Sequence, residues 1–158
     1  MEEHVFEARE ELKRIEHIVF VSLKYTRTSD VLHNGLLRFV SFYDLLVHGY
    51  LLHAQEHGLI EKIPKSPALA VKKLMGLYED DSKLQQYLGF YFFVKELLKR
   101  EYDKINEYRR HVGMLFHGNE TDPRTVVINI DYLEASEWYL NNFFSFSLLF
   151  LGLVKEED

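Results

Sequence analysis

Apolar residues recur along most of this chain at the three- and four-residue steps of an amphipathic helix. Val5, Phe6, Ala8, Leu12, Ile15, Val19, Phe20 and Leu23 line one face of a first helix over 3–24. Thr28-Ser29-Asp30 supplies an N-cap for a second helix running to about His57, where Gly58 closes it. Its core positions include Leu32, Leu36, Phe39, Val40, Phe42, Tyr43, Leu46 and Tyr50. Gly35 and Gly49 interrupt it, each at a cost of about 1 kcal/mol against alanine, and suggest close helix contact. Ser66 before Pro67 starts a short helix to about Tyr78.

Asp80-Asp81-Ser82 opens the longest periodic segment, expected to stay helical to His117-Gly118 with a kink near Gly89. Asn119-Glu120-Thr121-Asp122-Pro123 is a turn cluster. Residues 125–130, Thr-Val-Val-Ile-Asn-Ile, are strand-prone but have no evident partner, so they read as an extended strap across the bundle. Asp131 then caps a last helix to about Leu153. The expected fold is all-α: an up-down helical bundle of four to five helices, one domain over 1–158, with no strand-rich segment.

Composition narrows the function. With 47% apolar residues among 158 there is ample material for a core. A net charge of −6 argues against an extended basic surface that wraps duplex nucleic acid, while leaving room for a small local basic pocket. The absence of cysteine removes disulfides, thiolate metal sites and cysteine nucleophiles together. Met-Glu-Glu-His lacks the basic-then-apolar order of a secretory signal. The most apolar stretch, 143–154, is shorter than the roughly 20 residues a bilayer span needs. A cytoplasmic protein with no membrane partner is expected. Phe143, Phe144, Phe146 and Phe150 make the last helix apolar nearly all round, which in so small a bundle suggests a partner chain.

The stretch Arg109-Arg110-His111-Val112-Gly113-Met114-Leu115-Phe116-His117-Gly118-Asn119 carries the candidate chemistry. On a helix, Arg110 and His117 would lie about 20° from eclipsed and roughly 10 Å apart along the axis. A guanidinium can hold a phosphate oxygen bidentately, and an imidazole can move a proton near neutral pH. The plainer reading is that Arg and His close a helix against the negative end of its dipole, with Gly118 as the residue after the cap. His53 and His57, at i and i+4 with His48 nearby, are weak zinc candidates that need a third ligand from elsewhere. Solvated histidines at a helix C-terminus are the simpler account, and no metal or other cofactor is expected. Lys95, Lys99, Arg100 and Lys104 alternate with Glu96, Glu101, Asp103 and Glu107, as on a solvated, ion-paired face.

The run Arg110-His111-x5-His117-Gly118, followed by a polar turn and an apolar helix, resembles the HEPN (higher eukaryotes and prokaryotes nucleotide-binding) family. Its motif is an arginine, a polar neighbour and, with four to six residues between it and the arginine, a histidine often followed by glycine. Here six residues separate Arg110 from His117. Asp44 and His48 stand where many relatives carry an acidic-x3-lysine pair, with histidine in place of the lysine. The resemblance implies a helical homodimer with its Arg/His motifs at the interface. It further implies a metal-independent endoribonuclease in a toxin–antitoxin, defence or RNA-processing role, or a silent nucleotide-binding or dimerisation module. In the active case His117 moves the proton, Arg110 stabilises the phosphorane and His111 assists. Arg109, Asp44 and His48 would support RNA binding, and an antitoxin protein is a further possible partner.

Overall fold

In the structure, a computed structural model describing residues 1–154, the first helix is continuous but not uniform. Helix α1 (Glu2–His17) has Glu2 and Glu3 in its first turn and Arg14 and His17 in its last, charges that suit its dipole. It runs into a π-helical segment, Ile18–Ser22, and then one turn, α2 (Leu23–Tyr25). The amphipathic face read over 3–24 is present in buried Val5, Ala8, Leu12, Ile15, Val19 and Leu23, but Phe6 and Phe20 are exposed, and the winding loosens toward its C-terminal end.

Helix α3 (Ser29–Glu56) starts where the Thr28 hydroxyl accepts a hydrogen bond from the Val31 N–H, and Gly58, at φ 74°, turns the chain away from its end. Helix α4 (Pro67–Leu77) begins at the Ser66 cap with proline in its first turn. In α5 (Ser82–Leu98) the Asp81 carboxylate accepts from the Leu84 N–H at 3.0 Å. Helix α6 (Ile130–Phe150) is capped by Asn129, whose side chain accepts from the Tyr132 N–H; the expected cap, Asp131, lies within the first turn instead.

Both glycines of α3 mark close approaches. A Cβ on Gly35 would stand 2.7 Å from Leu133 Cδ2 of α6, and one on Gly49 would stand 3.1 Å from Val5 Cγ2 of α1. Between the helices Phe39, Phe42, Tyr43, Tyr50, Tyr91 and Phe143 are buried. Two of these tyrosines satisfy their hydroxyls inside the core: Tyr43 donates to the Tyr87 carbonyl and Tyr50 to Ser147 Oγ.

The all-α expectation is corrected between residues 99 and 129. Helix α5 stops at Leu98, and the chain forms a three-stranded antiparallel sheet of β1 (Tyr102–Ile105), β2 (Gly113–Phe116) and β3 (Val126–Asn129), in that order. Tyr102 lies opposite Phe116, Ile105 opposite Gly113, and Met114 opposite Ile128. The physical reasons are local. Asn106 and Tyr108 take φ of 52° and 66°, which a right-handed helix cannot pass through. Met114 and Phe116 alternate into the core with period two. The strand-prone Val126–Asn129 finds in β2 the partner that a helix over 102–117 would have denied it.

The sheet is fastened to the start of α3. Ser29 Oγ donates to the Gly113 carbonyl at 2.8 Å in a buried contact, the Ser29 N–H donates to Glu107 Oε1 at 3.0 Å, and the Tyr108 N–H donates to the Arg27 carbonyl at 2.6 Å. Among the described residues, no helix is long and apolar enough to cross a membrane.

Ser29→Ala leaves the Gly113 carbonyl buried without its donor, at a cost of about 1–3 kcal/mol. Urea unfolding should show that loss with an unchanged m-value; a smaller change would mean the hairpin is held elsewhere.

Candidate functional site

Because 99–129 is not helical, Arg110 and His117 do not share a helical ridge. Arg110 lies in the β1–β2 turn, beyond the Ile105–Gly113 end of the hairpin, and His117 follows β2 at the Tyr102–Phe116 end. The four residues of β2, roughly 13 Å of extended chain, stand between those ends. Each side chain is about half exposed and held by its own carboxylate. Arg110 donates to Asp131 Oδ1 at 2.7 Å in the first turn of α6, while His117 Nε2 lies 3.0 Å from Asp103 Oδ2. The ion pair with Asp131 raises the Arg110 pKa further.

His111 and Arg109 are exposed on the same turn as Arg110, and the His111 carbonyl accepts from Asn106 Nδ2. Gly118 is not a residue beyond a helix cap. A Cβ there would overlap the Pro123 backbone carbonyl, so glycine is required where the β2–β3 loop crosses itself. Arg100, expected on a solvated face, is buried: its guanidinium donates to the Arg124 carbonyl and lies 3.6 Å from Asp122, clipping that loop to α5.

The remaining candidates sit apart from the turn. Asp44 is 15 residues into α3, roughly 22 Å along the axis from Ser29, and so far from the sheet's point of attachment. Burial raises its carboxyl pKa, against the opposing effects of Tyr91 and Lys95 across on α5. His48 packs against His4 of α1 with tilted rings whose centroids are 4.3 Å apart, and His53 against His57 at 4.2 Å. Among the described residues no group of three or more histidines and carboxylates is arranged to hold a metal ion.

What Arg110 does join is a cleft of about 150 Å³ beside the π-helical segment, lined by Val19, Phe20, Leu23, Lys24, Arg27, Arg110, Ile130 and Glu134. The wider turn of a π-helix breaks the regular stacking of side chains, and such segments recur at functional sites. Lys24, Arg27 and Arg110 line the cleft together with a single carboxylate, Glu134, and Arg110 is paired with Asp131. Arg27 Nε is engaged by the Leu23 carbonyl and Arg110 by Asp131, each through one of five guanidinium donors. Near the cleft two aromatics stand in solvent, Tyr25 at 81% and Tyr108 at 77% exposure. The Tyr108 N–H is bonded to the Arg27 carbonyl, and its left-handed backbone is strained for a side chain of this size. The sequence reading missed Lys24, Arg27, Tyr25 and Tyr108. Their signal was present in Lys24-Tyr25-x-Arg27 and Tyr108-Arg109-Arg110, two short basic–aromatic runs that the fold brings together.

No protein-family model matches the chain, and no match to it was found among curated proteins or solved structures.

Burial holds the His48 imidazole below its ordinary value of 6.5, and His4 and the N-terminal amine push the same way. The unfolded chain therefore takes up this proton first as pH falls. The stabilisation is complete above about pH 6.5 and is lost as pH drops from there toward the folded value. His53 acts in the same sense, whereas Asp44 and Glu137, raised by burial, act in the opposite one. The difference between wild type and His48→Gln isolates the term: urea midpoints from pH 7.5 to 5.5 should fall more steeply for wild type. Parallel curves would refute the assignment.

Proposed function

We propose that this chain is a HEPN-like helical protein that binds single-stranded RNA in the cleft between the π-helical segment and the β1–β2 turn. The observation that carries this reading is the meeting of Lys24, Arg27 and Arg110 around one cleft, with Tyr25 and Tyr108 exposed close by. Guanidinium donors suit phosphate oxygens, and exposed aromatic rings suit unstacked bases of any sequence. The confined patch fits a net charge of −6, under which a short segment can be held locally but a duplex cannot be wrapped. Arg109 and His111 would extend the contact along the turn.

One observation favours a second reading, the metal-independent endoribonuclease. His117 is exposed and bonded to Asp103, an arrangement that orients an imidazole for proton transfer. His117 would exchange a proton with the ribose 2′-hydroxyl or the leaving oxygen, and Arg110 would stabilise the phosphorane, leaving a 2′,3′-cyclic phosphate. Since one chain keeps these residues at opposite ends of β2, the pair would have to be completed across an assembly of two chains. In a toxin, defence or RNA-processing setting, an antitoxin protein would then regulate it.

Fluorescence anisotropy with a short labelled single-stranded RNA tests the first reading. Arg110→Ala and Arg27→Ala should each weaken binding by about tenfold and make its salt dependence shallower, and Tyr108→Ala should weaken it about tenfold with the salt slope retained. Binding that none of these changes alters would sink the proposal. The same RNA incubated in EDTA tests the second reading: cyclic-phosphate ends lost in both Arg110→Ala and His117→Ala would support it, and intact RNA would dismiss it.

A further inference from the structure

Helices α1 and α6 run side by side in opposite directions over α3. At one end Ile18 and Leu133 both lie against Gly35; at the other Val5 lies against Gly49, and Ser147 accepts from Tyr50. The seam between them opens into a cleft of about 350 Å³, within the size range of small-ligand pockets. Its two walls are unlike. On the α1 side Arg9, Lys13 and Glu16 follow one ridge of the helix, cations first and the carboxylate last. On the α6 side Asn141 and Ser145, one turn apart, offer a carboxamide and a hydroxyl. Buried Leu12 and Phe144 form the floor, with half-buried Leu148 beside them.

The charges at the two ends of this cleft have no partners of their own. Lys13 is drawn to Glu10 at 3.1 Å, and Glu11 takes both Arg14 and Arg38. Among the described residues the exposed Arg9 and Glu16 enter no ion pair. The anionic end is reinforced from beneath by Glu137, which is buried and bonded to Asn141 Nδ2, with no cation paired to it among the described residues. Burial raises the Glu137 carboxyl pKa, Asn141 opposes the rise, and the charge of nearby Glu16 adds to it. Two carboxyl groups without a counter-ion leave a place for a cation. A purely anionic ligand would meet Glu16, and a purely cationic one would meet Arg9, so the cleft suits a dipolar molecule with an apolar body. Its length follows from the helix. Arg9 and Glu16 are roughly 10 Å apart along the axis, and extended chain covers about 3.3–3.6 Å per residue, so three residues bridge them.

We infer that the α1–α6 cleft binds a short peptide with free termini, about three residues long. Its carboxylate meets Arg9 toward the Leu148 end, and its ammonium meets Glu16 beside Glu137. Its middle side chain lies on Leu12 and Phe144. Asn141 Nδ2 is already committed to Glu137, so the Asn141 carbonyl oxygen and the Ser145 hydroxyl serve the ligand's peptide groups. The inference is independent of the RNA-binding reading, because this cleft and that of Arg110 share no lining residue.

Amide NMR of the isotope-labelled full chain, titrated with the tripeptide Ala-Leu-Ala, reads both place and affinity. Shifts should gather at Leu12, Asn141, Phe144 and Ser145. Acetylating the peptide's amine or amidating its carboxylate should each weaken binding about tenfold, the loss of one charge-assisted contact. Glu16→Gln should weaken binding of the free peptide by a similar factor and remove the penalty for acetylation alone. Arg9→Gln should remove the penalty for amidation alone. Lys73→Gln, an exposed charge change on α4, should alter none of these affinities. No shifts at about 10 mM peptide, shifts centred away from this cleft, or equal affinity for free and end-blocked peptides would each overturn the assignment.

Discussion

The hydroxyl of Ser29, donated to the buried carbonyl of Gly113, is the contact on which the site depends. It joins the first turn of the longest helix to the first residue of the central strand, 84 residues later in the chain. Two neighbours make it a clamp: Glu107 accepts from the Ser29 N–H, and Arg27 accepts from the Tyr108 N–H. The Glu107 carboxylate also lies at the positive end of the α3 dipole, where an anion is favoured. One serine, next to the Thr28 cap, thus fixes a hairpin to a helix and positions the turn that carries Arg109, Arg110 and His111.

That clamp explains why distant residues share a cleft. Lys24 and Arg27 belong to the connection from the π-helical segment into α3, and Arg110 to a turn more than 80 residues on. Once the turn is held against Thr26–Thr28, Asp131 in the first turn of α6 takes up one donor of Arg110 and orients the guanidinium along the cleft. The aspartate both stabilises the arginine and limits the positive field. Binding built on such a pair depends on geometry as much as on net charge.

The helices were legible because their signals are local. Thr28, Ser66 and Asp81 cap where the sequence placed them, and Gly35 and Gly49 are the close approaches their positions suggested. The sheet was not legible for the converse reason. Its strands are four residues each, too short for an alternating pattern to stand out, and β3 shows its purpose only once β2 lies beside it. Reading 99–117 as helix placed Arg110 and His117 on one ridge; left-handed backbone at Asn106 and Tyr108 and the crossing at Gly118 separate them. The basic–aromatic cleft was hidden because its halves meet only in the folded chain.

The distribution of charge links the cleft to the bare face of α6. Over residues 1–130 the charges are mixed in sign and often paired, as in Glu11 between Arg14 and Arg38 or Asp122 between Arg100 and Arg124. From Ala135 onward α6 gives up charge on its outer face, although its core face alone would not require it. Asp131 and Glu134, the last exposed carboxylates before that change, are the two that bound the Arg110 cleft. One helix therefore has two surfaces in sequence, a charged first turn that orients an arginine and a remainder whose outer face is uncharged.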